Sequence, residues 1–155
     1  MMPLCTGRPP FQREPAKYLA VHVLLPIGLG ALIYLLFRGS HLLVFQWVTA
    51  IGLDPLLDPL RRACEASRPH DLIVFSVPDA LWVYATTSLM VVAWRSSSNL
   101  LRVPWIHAGW ALALAAELGQ AVAIVPGTYD AMDLGCCLVA FIVPLYLVGV
   151  RRYGP

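Results

Sequence analysis

Nine carboxylates occur in the chain, and four of them sit where solubility does not explain them. Glu117 falls inside the run Ala111-Leu112-Ala113-Leu114-Ala115-Ala116-Glu117-Leu118-Gly119-Gln120, with Gln120 one turn further along the same helical face. Asp79 follows Ser76-Val77-Pro78, and Asp130 and Asp133 follow the turn Pro126-Gly127-Thr128-Tyr129. An acid near the centre of a membrane-spanning helix costs about 2.5–3.5 kcal/mol on the insertion scale and ordinarily marks a site. Glu117 is the sharpest case, because it lies in the C-terminal half of its helix, where the helix dipole disfavours an anion. It must find a partner or hold a proton, which makes it the candidate general acid or base. Asp133 would then orient it or bind a divalent cation. Asp79, Gln120, Asp130 and Tyr129 are candidate substrate-binding residues, with Trp82, one turn after Asp79, lining the same place.

Plainer roles compete with these. Ser76-Val77-Pro78-Asp79 has the form of a capping box, with Ser76 as N-cap and Pro78 in the first turn. Asp130 and Asp133 complement the dipole at a helix start, with Thr128 or Asp130 as the N-cap. Glu117 could be a buried hydrogen-bonding group that joins helices. The other usual centres are missing. No CxxC or HExxH spacing occurs, and His22, His41, His70 and His107 are scattered, so no zinc pattern is present. Cys136 and Cys137 are adjacent on one helix and cannot face each other across a bridge. A net charge of +2, without a basic stripe or aromatic stacking pattern, excludes a nucleic-acid partner.

The elements that hold these residues are helices in lipid. Hydrophobic residues make up 59% of the chain and charged residues 13%, against about 45–50% and 25% in ordinary soluble domains. The fold class expected is all-α: a polytopic membrane helix bundle of four transmembrane helices in one domain over 17–155, after a cytoplasmic Pro-rich tail over 1–16. Spans are expected at 17–37, 72–94, 103–125 and 129–150, with the first helix uncleaved. Residues 41–68 form an interfacial or re-entrant segment: 41–53 is apolar but short for a span, and 55–68 is amphipathic, with Leu56, Leu60, Ala63 and Cys64 at helical spacing among Arg61, Arg62, Glu65 and Arg68.

Four spans place both termini on one side. Seven cations then fall on that side (Arg8, Arg13, Lys17, Arg95, Arg102, Arg151 and Arg152) and four on the other (Arg38, Arg61, Arg62 and Arg68). The positive-inside rule puts the larger group, and both termini, in the cytoplasm of a cell-membrane protein. A fifth span at 41–57 would split the charges six to five and leave the rule almost without a preference. In the four-span arrangement every acid except Glu14 lies in the outer half, and Arg61 and Arg62 either cover the carboxylates from outside or attract anionic headgroups.

The pattern Glu117-x-x-Gln120, then Pro126-Gly127-Thr128-Tyr129-Asp130-x-x-Asp133, resembles the VanZ-like family of small bacterial membrane proteins over about 72–150. The chain departs from that family in having no Arg in the turn and Cys137 where the family often has Asn. The resemblance implies a cell-envelope role without a reaction. With the acids in the outer half, the leading reading is a polar pocket open to the outer leaflet that binds membrane lipids or processes a lipid-linked or envelope substrate. A small transporter or cation conduit is the alternative, using Thr86, Thr87, Ser88, His22 and His107 in the inner half. A membrane anchor or effector subunit without catalysis is the third reading.

Overall fold

The computed structural model describes residues 15–40, 42–94 and 99–149. The tail with Arg8 and Arg13, His41, Arg95, and the closing Arg151 and Arg152 lie outside the described residues. The described chain is all-helical, with six helices and no strand.

The first helix, α1, runs through three consecutive segments: Pro15–Leu19, the π-helical turn Ala20–Leu24, and Leu25–Phe37. The π turn has a local cause. Pro26 has no N–H to continue the ladder, and the Leu25 N–H reaches back five residues to Ala20 O. A short helix α2, Leu43–Ala50, follows. Eight residues rise about 12 Å, far less than a bilayer core. Its end is a Schellman closure: Leu53 N–H donates to Val48 O at 3.0 Å, Gly52 N–H donates to Thr49 O at 3.0 Å, and Gly52 takes φ +73°. Helix α3, Asp54–Glu65, starts on Asp54-Pro55 and is amphipathic, as its spacing predicts, with no buried residue.

Helix α4, Asp71–Ala93, is the central element and packs against α1, α6 and α5. His70 caps it, its Nδ1 accepting from Leu72 N–H at 3.2 Å. The capping-box reading of Ser76 and Asp79 is therefore corrected: both lie in the helix interior, and Pro78 sits within the helix rather than at its start. Leu72, Ile73, Val74 and Phe75 are apolar and Val74 is fully buried, so the helix extends past the local start signal. Helix α5 spans Arg102–Ala121 and α6 spans Ala131–Gly149. Residues 122–125, expected to prolong the third span, instead form its closing turn, with Ala123 at φ +57° and Ile124 N–H on Gly119 O at 2.8 Å.

Small residues let these helices approach. A Cβ on Gly30 would lie 3.3 Å from Pro78 O, and one on Gly109 would overlap Thr86 Oγ1. Val83, Cys137 and Phe141 form the buried core between α4 and α6, with Trp110 of α5 packed on it. Ala16–Phe37 and Asp71–Ala93 are each long and apolar enough to cross a membrane, and Ala131–Leu147 is a shorter apolar helix.

Candidate functional site

Four helix ends meet around one cavity. The C-terminal end of α1 contributes Tyr34 and Arg38, and the N-terminal part of α4 contributes Asp71, Phe75 and Ser76. Gln120 comes from the end of α5, and Asp130 and Asp133 come from the start of α6. The cavity has a volume of about 670 Å³, within the usual range of about 300–1,000 Å³ for small-ligand sites. Because the ends alternate in chain direction, α1, α4, α5 and α6 run up, down, up and down.

Each polar group has a definite place. Ser76, 2% exposed, donates its hydroxyl hydrogen bond to Asp133 Oδ1, tying α4 to α6. Asp130 caps α6, its Oδ1 accepting from Met132 N–H at 2.8 Å, as one of the two expected caps predicts. Glu117, 8% exposed, accepts the Asp130 N–H at 3.1 Å through Oε2. It holds the α5–α6 turn from behind and is not among the residues that wall the cavity. Gly127, at φ +138°, packs its backbone against the Gln120 side chain, where any Cβ would lie 2.8 Å from the Gln120 amide. The turn sequence Pro126-Gly127 thus presses Gln120 into the wall.

Asp79 is also beside the cavity rather than in it. Its Oδ2 stands 4.0 Å from Arg38 Nη2, and it lies within electrostatic reach of Asp133 and Glu117. Cys137, 3% exposed, is within electrostatic reach of the same three carboxylates. Of these, Asp133 walls the cavity, while Asp79 and Glu117 stand outside its lining. Trp82 lines a separate, largely apolar groove with Asp79, between α1, α2 and α4. Tyr129, 49% exposed, does not wall the cavity, although its neighbours Thr128 and Asp130 do.

Arg38 is the residue that sequence reasoning missed. Its guanidinium lies 4.7 Å from the Phe75 ring and 5.2 Å from the Tyr34 ring, and Nη2 donates to Phe75 O at 3.5 Å. Its Nε is buried with no acceptor among the described residues. The signal was available: a lone Arg closes an apolar span at the end where the acids gather. Arg61, expected to cover the carboxylates, instead caps α1. It donates to Leu35 O at 2.5 Å and Arg38 O at 2.6 Å, and stacks over Phe45 of α2 at 4.5 Å. Arg62 lines a different polar hollow with Asp58, Glu65 and Arg68.

Among the described residues no group of three or more His, Cys, Asp or Glu is placed to hold a metal ion, so the divalent-cation role for Asp133 has no ligand set behind it. The polar residues of the other half divide: Thr86 and His107 bond within their own helices, His22 bonds across helices, and the buried Thr87 and Ser88 hydroxyls have no partner among the described residues. Thr86 donates to Trp82 O at 2.9 Å, and His107 Nδ1 pairs with Val103 O at 2.8 Å, each on its own helix. His22 Nδ1 pairs with the Tyr84 hydroxyl at 2.6 Å across α1 and α4. Comparisons with protein-family models, curated proteins and solved structures find no match.

Proposed function

We propose that this chain is a VanZ-like integral membrane protein of the cell envelope, with four spans, both termini cytoplasmic, and a polar cavity open at the outer face that holds the polar part of a lipid or lipid-linked intermediate. The observation that carries this reading is the cavity itself, built from the ends of four long helices and walled by Arg38, Ser76, Gln120, Asp130 and Asp133. Helix ends lie at the depth of headgroups when helices of about 20 residues cross a core of about 30 Å. The outward faces support a lipid setting: Leu24, Leu32, Leu112, Val139 and Ile142 are all at least half exposed, as lipid-facing side chains are. Arg38 supplies, from α1, the cation that the resembled family carries in its turn.

We favour binding over a cation conduit because the polar cavity is walled by residues at one set of helix ends, while in the other half Thr86 and His107 return their hydrogen bonds to their own helices. The orientation is tested by single cysteines at Thr128, Arg62 and Ser97 in a cysteine-free background, labelled in intact cells with an impermeant maleimide. Thr128→Cys and Arg62→Cys should label and Ser97→Cys should not. The reverse pattern turns the cavity to the cytoplasm and removes the envelope reading.

A further inference from the structure

The cavity is not the only hollow at this end of the bundle. A groove of about 300 Å³ runs beside it along α1, α2 and α4, lined by Pro26, Ile27, Ala31, Val44, Pro78 and Trp82. The two adjoin. Tyr34 lines both, and the Arg38–Asp79 pair stands at the junction, with Arg38 in the wall of the cavity and Asp79 in the wall of the groove. A polar chamber beside an apolar slot, with Tyr34 in the wall of both, suits an amphiphile with a compact charged head and a chain.

The charges say which head. A purely anionic group would meet Arg38 but also Asp71, Asp130 and Asp133, so acids outnumber the cation that walls the chamber. Asp71 is turned to Arg68 at 3.3 Å, whereas Asp133 and Asp130 each use one oxygen, on Ser76 and on the Met132 N–H. The second oxygen of each remains for a donor. Arg38 walls the same cavity with a side chain 22% exposed, and its Nη2 stands 4.0 Å from Asp79 Oδ2, a long ion pair that leaves part of the guanidinium for an anion. The complement is a head that carries both charges, a phosphate for Arg38 and an ammonium for Asp133 and Asp130. A primary ammonium fits better than a quaternary one. It offers three N–H donors to carboxylates, and the aromatic rings here, Tyr34 and Phe75, are already occupied by Arg38 rather than arranged as a cage.

From this we infer that the site binds a zwitterionic phospholipid with a primary-amine head, phosphoethanolamine in type, with the phosphate at Arg38, the ammonium at Asp133 and Asp130, and one acyl chain in the α1–α4 groove. The inference deepens the proposed function and rests on it.

The test is native mass spectrometry of the full-length protein in detergent. Phosphatidylethanolamine, phosphatidylcholine and phosphatidylglycerol are added separately, with soluble glycerophosphoethanolamine as the control that carries the head without the chains. Phosphatidylethanolamine should be retained about tenfold more than either other lipid, a difference of about 1.4 kcal/mol. Arg38→Gln and Asp133→Asn should each remove that preference, while Arg38→Lys keeps part of it. Ala31→Trp fills the groove, and should weaken the diacyl lipid several-fold while leaving glycerophosphoethanolamine unchanged. Unfolding temperature of each variant separates lost binding from lost fold. Equal retention of the three lipids, or a preference untouched in folded Asp133→Asn, overturns the inference. Preference for phosphatidylglycerol that depends on Arg38 alone also overturns it, but leaves an envelope-lipid pocket standing. Loss of the pocket reading itself would show as inward-facing Thr128→Cys in the labelling experiment.

Discussion

At the scale of single residues, Glu117 is the informative one. An acid in the last turns of an apolar helix needs a donor, and it has one in the Asp130 N–H at 3.1 Å. An amide oxygen can accept the same bond, whereas a methyl group cannot. Glu117→Gln is therefore expected to stay within about 1 kcal/mol of the parent, and Glu117→Ala to lose about 1–3 kcal/mol by stranding a buried N–H. Thermal unfolding in detergent reads both. The same pair separates positioning from chemistry: lipid retention should survive in Glu117→Gln, and a folded Glu117→Gln protein without it would return Glu117 to a direct role. The unusual placement of Glu117 was legible in the sequence because its cost is local. Its partner was half legible, since Asp130 was already marked as the start of the next helix. Arg38 was legible only as the Arg that closes an apolar span, and its place in the site was not, because that depends on Phe75, 37 residues away, and on Asp79. Nor was the Ser76–Asp133 bond, which joins residues 57 apart.

Elements show the same division between local and long-range causes. The Gly52 turn, the Asp54-Pro55 helix start and the Asp130 cap follow from neighbours in sequence, and the structure has all three. The capping box at Ser76 was also a local signal, and it lost to the packing of α4 against α6 and α1, which keeps residues on both sides of it helical. Besides the buried Phe45 and Val48, the side chain that hydrogen-bonds the α2–α3 excursion to α1 is Arg61. Its two donors satisfy the carbonyls of Leu35 and Arg38 that a helix end leaves open, and its guanidinium covers Phe45. Hydrogen bonds from a charged donor are worth about 1.5–3 kcal/mol each, and less at a part-exposed site, so Arg61→Leu should destabilise the docked segment by about 2 kcal/mol. The expected readout is faster proteolytic cleavage within 51–70 with the long helices still protected. Unchanged cleavage would mean that α3 is held by its apolar face on the membrane rather than by this contact. Because Arg61 grips the backbone of Arg38, the same variant should also loosen the cavity wall and lower lipid retention.

For the whole molecule, the four-span reading has to account for α5, whose polarity sets it apart from the two helices apolar enough to cross a membrane. Two helices, Ala16–Phe37 and Asp71–Ala93, are apolar and long enough to cross without help, and α6 is apolar but shorter. Helix α5 carries Arg102, His107, Glu117 and Gln120 within 20 residues. Its apolar stretch is diluted by the groups that build the cavity, and each ionisable group near the core adds up to about 2.5–3.5 kcal/mol to insertion. The bundle offsets this. Gly109 seats α5 against Thr86 of α4, Trp110 packs on the core shared by α4 and α6, and Glu117 spends its charge on the Asp130 N–H. On the four-span reading, α5 is a helix that spans because its neighbours receive it. Glycosylation mapping of segment 102–121 alone in a host protein should find a minority of molecules inserted. Glu117→Leu in that isolated segment should raise the fraction, and so should placing residues 71–101 before it. Efficient insertion of the bare segment would show that its hydrophobicity suffices, and the acids would then carry no topological cost. Failure of insertion even within the full chain would leave α5 on the surface, and the fourth wall of the cavity would have to be set against the membrane rather than in it.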